Sequence, residues 1–128
     1  MDDKIRYKDD MVYFQYDVSD IERAKTFYNE IFGLEVKFDG GAEVGWTELE
    51  LPTGARLGLN LRKDGKVVPG SGTLTLQVHD LEQTKSYLES KALEVSEITD
   101  LPDMVSFMNT NDSEGNQIQI ISDPRVKG

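Results

Sequence analysis

The sequence predicts an α+β fold of two tandem βαβββ modules, and three observations predict it. The chain is written twice: Asp17-Val-Ser-Asp-Ile-Glu-Arg-Ala-Lys-Thr-Phe-Tyr28 lies over Gln77-Val-His-Asp-Leu-Glu-Gln-Thr-Lys-Ser-Tyr-Leu88, and Val44 to Gly54 lies over Val105 to Gly115. Each copy passes from an alternating segment to a stripe of helical period and back to alternating segments, the order strand, helix, strands. A chain of 128 residues removes roughly two-thirds of its unfolded surface from water, enough for one core. Residues 1–128 are therefore read as a single domain of two repeats, at 11–61 and 73–121, joined by a Gly-rich linker at 62–72.

The elements follow in order. Met11 to Val18 alternates as a strand should, and Ser19-x-x-Glu22 has the form of a capping box that starts a helix. The helix buries a stripe through Ile21, Ala24, Phe27, Tyr28, Ile31 and Phe32, and Gly33 ends it. Strands are expected at Leu34 to Phe38, Val44 to Leu51 and Arg56 to Leu61, separated by the turn residues Asp39-Gly-Gly41 and Pro52-Thr-Gly54. In the second copy a strand through Leu74, Leu76 and Val78 leads to a helix that begins at Asp80-x-x-Gln83 or one residue earlier. The stripe of this helix, Leu81, Thr84, Tyr87, Leu88 and Ala92, is the weaker one. Strands are expected again at Leu93 to Ile98, Met104 to Thr110 and Gln117 to Ile121.

Alternation also sorts the side chains, because successive residues of a strand point to opposite faces. Leu57, Leu59 and Leu61 oppose Arg56, Gly58 and Asn60; Leu74, Leu76 and Val78 oppose Thr73, Thr75 and Gln77; Phe14, Tyr16 and Val18 oppose Tyr13, Gln15 and Asp17. The helices carry apolar stripes and must cover the leucine faces. The opposite, polar side then also collects Trp46, Glu48, Phe107, Asn109, Gln117 and Gln119, while Thr47, Leu49, Ser106 and Met108 turn toward the helices.

Composition narrows the function classes. With 14 Lys+Arg against 24 Asp+Glu the net charge is −10, a field that repels phosphate backbones and anionic lipid and attracts cations, so no nucleic acid and no membrane is expected as a partner. There is no cysteine, which excludes disulfides and thiolate metal sites. The N-terminal stretch has no apolar run of a signal peptide, and no segment approaches the ~18 apolar residues of a membrane span. The expected location is cytoplasmic.

Phe27-Tyr-Asn-Glu-Ile-Phe-Gly-Leu-Glu-Val36 and Asn111-Asp-Ser-Glu-Gly-Asn-Gln-Ile-Gln-Ile120, set in a duplicated βαβββ order, resemble the vicinal oxygen chelate superfamily. These are the glyoxalase, bleomycin-resistance and extradiol-dioxygenase proteins, and the resemblance spans Met11 to Ser122. It implies a curved mixed sheet around a concave ligand cavity, helices on the outer face, and a homodimer that completes or pairs the cavities. The polar side of the strands becomes the inner, concave one. Metal-using members place His, Glu or Gln on the first and last strand of each copy, positions that fall here on Tyr13, Gly58, Thr73 and Gln119. A divalent transition metal needs several imidazole, thiolate or carboxylate ligands, and one glutamine oxygen is too weak. No metal and no cofactor is therefore expected.

His79, the single histidine, sits at a strand-to-helix junction with outward parity and reads as structural. Trp46 and Phe107, paired by the repeat, are stacking walls or cavity filling; Glu48 and Arg56 orient a ligand or pair with each other. The candidate ligand-binding set is Tyr13, Gln15, Trp46, Glu48, Arg56, Asn60, Thr73, Phe107, Asn109 and Gln119. The leading expectation is a metal-free protein that sequesters an aromatic or cationic small molecule. The alternatives are a glyoxalase-like lyase, isomerase or dioxygenase with a degenerate or non-metal site, working through Glu48, Tyr13 or Asp17, and a subunit whose dimer surface is its function.

Overall fold

The computed structural model describes residues 6–8, 12–69 and 72–128, so the expected strand start at Met11 and the linker residues Gly70 and Ser71 lie outside the described residues. Each repeat builds its own four-stranded mixed sheet. In the first, β1 (Tyr13–Val18) runs parallel to β4 (Arg56–Leu61), β3 (Trp46–Glu50) is antiparallel to β4, and β2 (Val36–Asp39) is antiparallel to β3. The second reproduces that order with β5 (Leu74–Gln77), β8 (Gln117–Ser122), β7 (Val105–Asn111) and β6 (Thr99–Leu101). Curvature is thus shared between two open sheets, and neither closes into a barrel.

The helices follow the same duplication. α1 (Ile21–Thr26) runs into a π-helical turn at Phe27–Ile31, a one-turn α2 (Gly41–Val44) precedes β3, and α3 (Leu81–Ser90) serves the second repeat. Three expectations need correction here. The strand expected from Val44 begins at Trp46, because Gly41–Val44 form α2. The cap of α1 is Asp20, whose carboxylate accepts from Arg23 N–H at 3.0 Å, rather than Ser19; Asp80 does the same for Gln83 in α3. The segment expected as a strand at Leu93 to Ile98 makes only a Val95 to Thr110 bridge, and the edge strand forms later, at Thr99–Leu101.

The face assignments hold. Thr47 and Ser106 are buried, and Leu49, Met108, Leu57, Leu59, Ile118 and Ile120 belong to one core cluster that includes Ile21, Ala24, Phe27 and Tyr28 of the first helical segment and Leu81 and Leu88 of α3. Because the apolar faces of both sheets feed one core, each polar face points away from it.

Several hydrogen bonds join the repeats. The Tyr16 hydroxyl accepts from Leu74 N–H at 2.8 Å and donates to the Gln117 carbonyl, so it stands inside the first rung between β5 and β8. Burial pushes its pKa up to about 12, with the Asp112 charge adding to that and the Leu74 N–H opposing it. The turn Asp112 to Asn116 supplies most of the others. Asp112, buried, accepts from Tyr28 Oη at 2.6 Å and from the backbone N–H groups of Glu114 and Asn116. Glu114 accepts from Arg23 Nε at 2.6 Å and Nη2 at 2.9 Å, from Ser19 N–H, Asp20 N–H and the Ser113 hydroxyl.

Burial by itself raises the Glu114 pKa, but the Arg23 guanidinium, the Ser113 hydroxyl and Ser19 N–H outweigh it and hold the group at about 2. A folded pKa below the free value of 4.5 means that its contribution is present above about pH 4.5 and is lost as pH falls toward 2. Glu114→Gln is expected to cost about 2 kcal/mol in urea unfolding at pH 7, with the gap to wild type narrowing between pH 4.5 and 2. A gap that stayed constant over that range would show that Glu114 acts by shape and not by charge.

The helix ends give a second prediction. Gly33 ends the first helix with φ +67 and Leu34 N–H returns to the Tyr28 carbonyl at 3.1 Å, one residue further back than in a Schellman closure, as the π-helical turn requires. Ala92 ends α3 with φ +65, a conformation that costs a residue with a Cβ. Ala92→Gly is expected to raise stability by about 0.5–1 kcal/mol in urea unfolding.

Candidate functional site

The polar face of the first sheet is built around Glu48. Its Oε2 accepts from Trp46 Nε1 at 2.8 Å and its Oε1 from Arg56 Nη1 at 2.8 Å, with the side chains of Glu48 and Arg56 only 12% and 25% exposed. The alternation puts Trp46, Glu48 and Glu50 on this face of β3, and the register lays Glu48 beside Gly58 of β4, which itself lies beside Gln15 of β1. The six-membered ring of Trp46 lies directly on Gly58: a Cβ there would stand 2.5 Å from Trp46 Cζ2 and closer still to Cη2. The Tyr13 ring meets the indole almost edge-on, at 5.9 Å and 75°. Farther along, Asn60 Nδ2 donates to Asp17 Oδ1 at 3.0 Å and Arg62 stands 3.6 Å from the same carboxylate.

Two members of this face escaped sequence reasoning. Phe38 pairs with Glu48 and is 46% exposed, because a bulge between Val36 and Phe38 reverses the face that simple alternation assigns. Glu50 shares the parity of Trp46 and Glu48, and no hydrogen bond or ion pair involves its carboxylate among the described residues. Arg56, its neighbour in register, is held by Glu48 instead.

The second sheet offers amides where the first offers rings. Gln117 Nε2 donates to Asn109 Oδ1 at 3.0 Å and the Thr75 hydroxyl donates to Gln119 Oε1 at 3.0 Å. Phe107 pairs with Ile121 on that face. Thr73 lies just before β5 and is exposed, and the strand residue across from Gln119 is Thr75. The ten expected site residues therefore form two groups. Tyr13, Gln15, Trp46, Glu48, Arg56 and Asn60 are together on the first sheet, Thr73, Phe107, Asn109 and Gln119 belong to the second, and no hydrogen bond or ring contact joins the groups among the described residues.

A metal does not fit the four corresponding positions. Gly58 has no side chain and its space is filled by indole, Tyr13 packs on that indole, Thr73 is exposed, and Gln119 is engaged with Thr75. Among the described residues no group of three or more His, Asp or Glu side chains converges elsewhere.

A cavity lies away from this face. It measures about 620 Å³ and lies between the turn Leu51 to Ala55 and the free edge of β5, with His79 and Asp123 at its rim. His79 is exposed and makes no hydrogen bond among the described residues, and Asp123 accepts from Gln77 Nε2 at 3.4 Å, so the two form no acid–base pair. The clustered polar and aromatic groups of the first sheet, on an open face, are the candidate site.

Residues 11–120 match the family model of the Glyoxalase/Bleomycin resistance protein/Dioxygenase superfamily. The chain belongs to this superfamily. No curated protein matches the sequence. Among solved structures, the antibiotic binding protein TnmS3 from Streptomyces sp. CB03234 is similar at 25% identity and TM-score 0.72, over 87% of this chain and 93% of that one. A glyoxalase family protein from Bacillus anthracis gives 17% identity and TM-score 0.73 over 94% and 99% of the two chains. Lactoylglutathione lyase from Agrobacterium tumefaciens gives 17% and 0.72 over 91% and 96%. The last two show the fold alone. One superfamily fold thus carries binders and a lyase, and the site residues have to separate them.

The Glu48–Arg56 pair can be tested directly. Removing one partner of a largely buried ion pair strands the other, whereas removing both spares that penalty. Glu48→Leu is expected to lower stability by about 3 kcal/mol, and Glu48→Leu with Arg56→Leu by clearly less, as read from urea midpoints of the two variants.

Proposed function

We propose that this protein binds a small aromatic or cationic molecule without a metal and releases it chemically unchanged. The observation that carries the reading is the indole seated on Gly58. At a position where metal-using relatives carry a ligand, this chain has an aromatic surface held in place by Glu48 and Tyr13. The exposed rings of Tyr13 and Phe38 extend that surface, and Glu50 adds an uncompensated carboxylate beside it. Rings with a nearby carboxylate suit a cation, which the net charge of −10 also draws in by long-range attraction. The similarity to an antibiotic binding protein at 25% identity supports the same direction.

The polar faces of one chain point away from its shared core, so neither encloses a ligand alone. A second copy of the chain would cover the aromatic face of one subunit with the amide face of the other, giving stacking below and hydrogen bonds from Gln117, Gln119 and Asn109 above. A homodimer is therefore part of the proposal, and the location proposed is the cytoplasm. No helix of the described residues is long and apolar enough to cross a membrane.

Elemental analysis of protein purified without chelators is expected to find no stoichiometric Zn, Ni, Mn or Fe. In a thermal-shift screen of small aromatic and cationic compounds, hits are expected to be mainly cations, to weaken with added salt, and to be recovered unaltered by mass spectrometry. Conversion of a hit into a product would replace binding with catalysis, and about one tightly held metal per subunit would overturn the metal-free reading.

A further inference from the structure

Gly58 sits at the centre of β4, between Gln15 of β1 and Glu48 of β3, where a residue with a side chain would ordinarily pack better. Its backbone needs no glycine, since it is absent from the residues with positive φ. What requires glycine is the close approach of Trp46, whose ring occupies the place of the missing Cβ. The indole is restrained on its other sides as well. Nε1–H is held by Glu48 at 2.8 Å, and the Tyr13 ring closes one flank at 5.9 Å. A side chain fixed in this way has already lost its rotamer freedom before any ligand arrives, so it binds with less ordering cost than a mobile ring.

The second repeat makes the contrast. Its counterpart of Gly58 is Gln119, which carries a hydrogen-bonding amide engaged with Thr75, and its counterpart of Trp46 is Phe107, which lies in register with Ile121. On its last strand one repeat therefore has a depression that seats an aromatic ring, where the other has a hydrogen-bonding amide.

We propose that Gly58 is a specificity-determining residue. By letting Trp46 lie down on β4 it forms a fixed, low platform that selects ligands with a planar conjugated ring system over compact ligands of the same charge. The proposal rests on the small-molecule reading above and narrows its ligand class. Glu48 and Tyr13 are positioning residues for the platform.

Two cationic probes of differing shape test it: planar 9-aminoacridine and globular 1-aminoadamantane. Wild type is expected to bind the planar amine at least tenfold more tightly. In Gly58→Ala the indole must lift, so in the ligand-free protein the emission and near-ultraviolet dichroism of this sole tryptophan should change. The preference for the planar probe should then fall toward unity. Trp46→Leu, which leaves Gly58 and the strand backbone intact, should lose the preference equally, and so covers the case in which Gly58→Ala does not fold.

Equal binding of the two amines by wild type, failure of wild type to bind the planar one, or a preference that survives in Trp46→Leu would each overturn the proposal. Unchanged indole spectra in a folded Gly58→Ala would do the same. If Gly58 shapes the platform spectroscopically but no compound of the wider thermal-shift screen binds, it is the small-molecule reading that fails.

Discussion

The turn Asp112 to Asn116 is the constraint on which the arrangement of the two repeats depends. It belongs to the second sheet, yet Asp112, Glu114 and Asn116 all reach across to the first repeat. Asp112 holds the Tyr28 hydroxyl inside the core, Glu114 gathers Arg23 and the free N–H groups ahead of α1, and Asn116 Nδ2 reaches the Asp17 carbonyl at 3.3 Å. A helix start exposes unsatisfied donors and carries the positive end of the helix dipole, so a carboxylate brought from far along the chain satisfies both. Tyr16 completes the joint from the other side by entering the β5–β8 ladder. With the helix faces of both sheets packed into one core, their polar faces have only the outward direction left, and the proposed binding surface follows from that.

The duplication stops short of symmetry at this joint. Leu51, Thr53 and Ala55 occupy in the first repeat the places that Asp112, Glu114 and Asn116 occupy in the second. None of the three bears a carboxylate or an amide, so the turn before β4 has nothing with which to grip the start of α3. A cavity of about 620 Å³ lies between that turn and the free edge of β5. α3 is held by other means. Arg125 bonds Glu82 at 2.6 Å and Asp100 at 2.8 Å, tying the first turn of the helix to the edge strand β6, and the guanidinium together with the Ser106 hydroxyl holds the Asp100 carboxyl down at about 2. The weaker apolar stripe of α3 fits the same picture: Tyr87 and Ala92 are exposed, and the Tyr87 hydroxyl bonds the Ile31 carbonyl instead of entering the core.

Much of this was legible in the sequence because alternation and helical period are local properties. The inward and outward faces of Thr47, Leu49, Ser106, Met108 and the Ile118/Ile120 pair follow from parity once the strands are located. What stayed hidden depends on features that local patterns do not encode. The bulge in β2 moved Phe38 to the polar face against its parity with Val36. Nothing local in the sequence marks Asp112, Glu114 and Arg23 as a joint between the repeats, because their partners lie more than 80 positions away. The role of Gly58 was partly visible, as an inward position with no side chain. That another residue's ring would fill it was not, since the approach comes from two pairs along the neighbouring strand.

The glutamines of Glu114-Gly-Asn-Gln-Ile-Gln-Ile-Ile121 bring both lines together. Ile118 and Ile120 are buried in the core that the turn before them locks, while Gln117 and Gln119 stand on the polar face with their amides tied to Asn109 and Thr75. A carboxylate or imidazole at Gln119 would need several partners of its kind to hold a metal, and Gly58 cannot be one of them without evicting Trp46. Building a metal centre here would therefore take concerted changes on both sheets and the loss of the indole. A single ligand introduced at Gly58 would meet a ring already in its place, and a single ligand introduced at Gln119 would only break the amide's bond to Thr75. The aromatic platform and a metal centre are thus alternative occupants of one space, and the packing of Trp46 favours the platform.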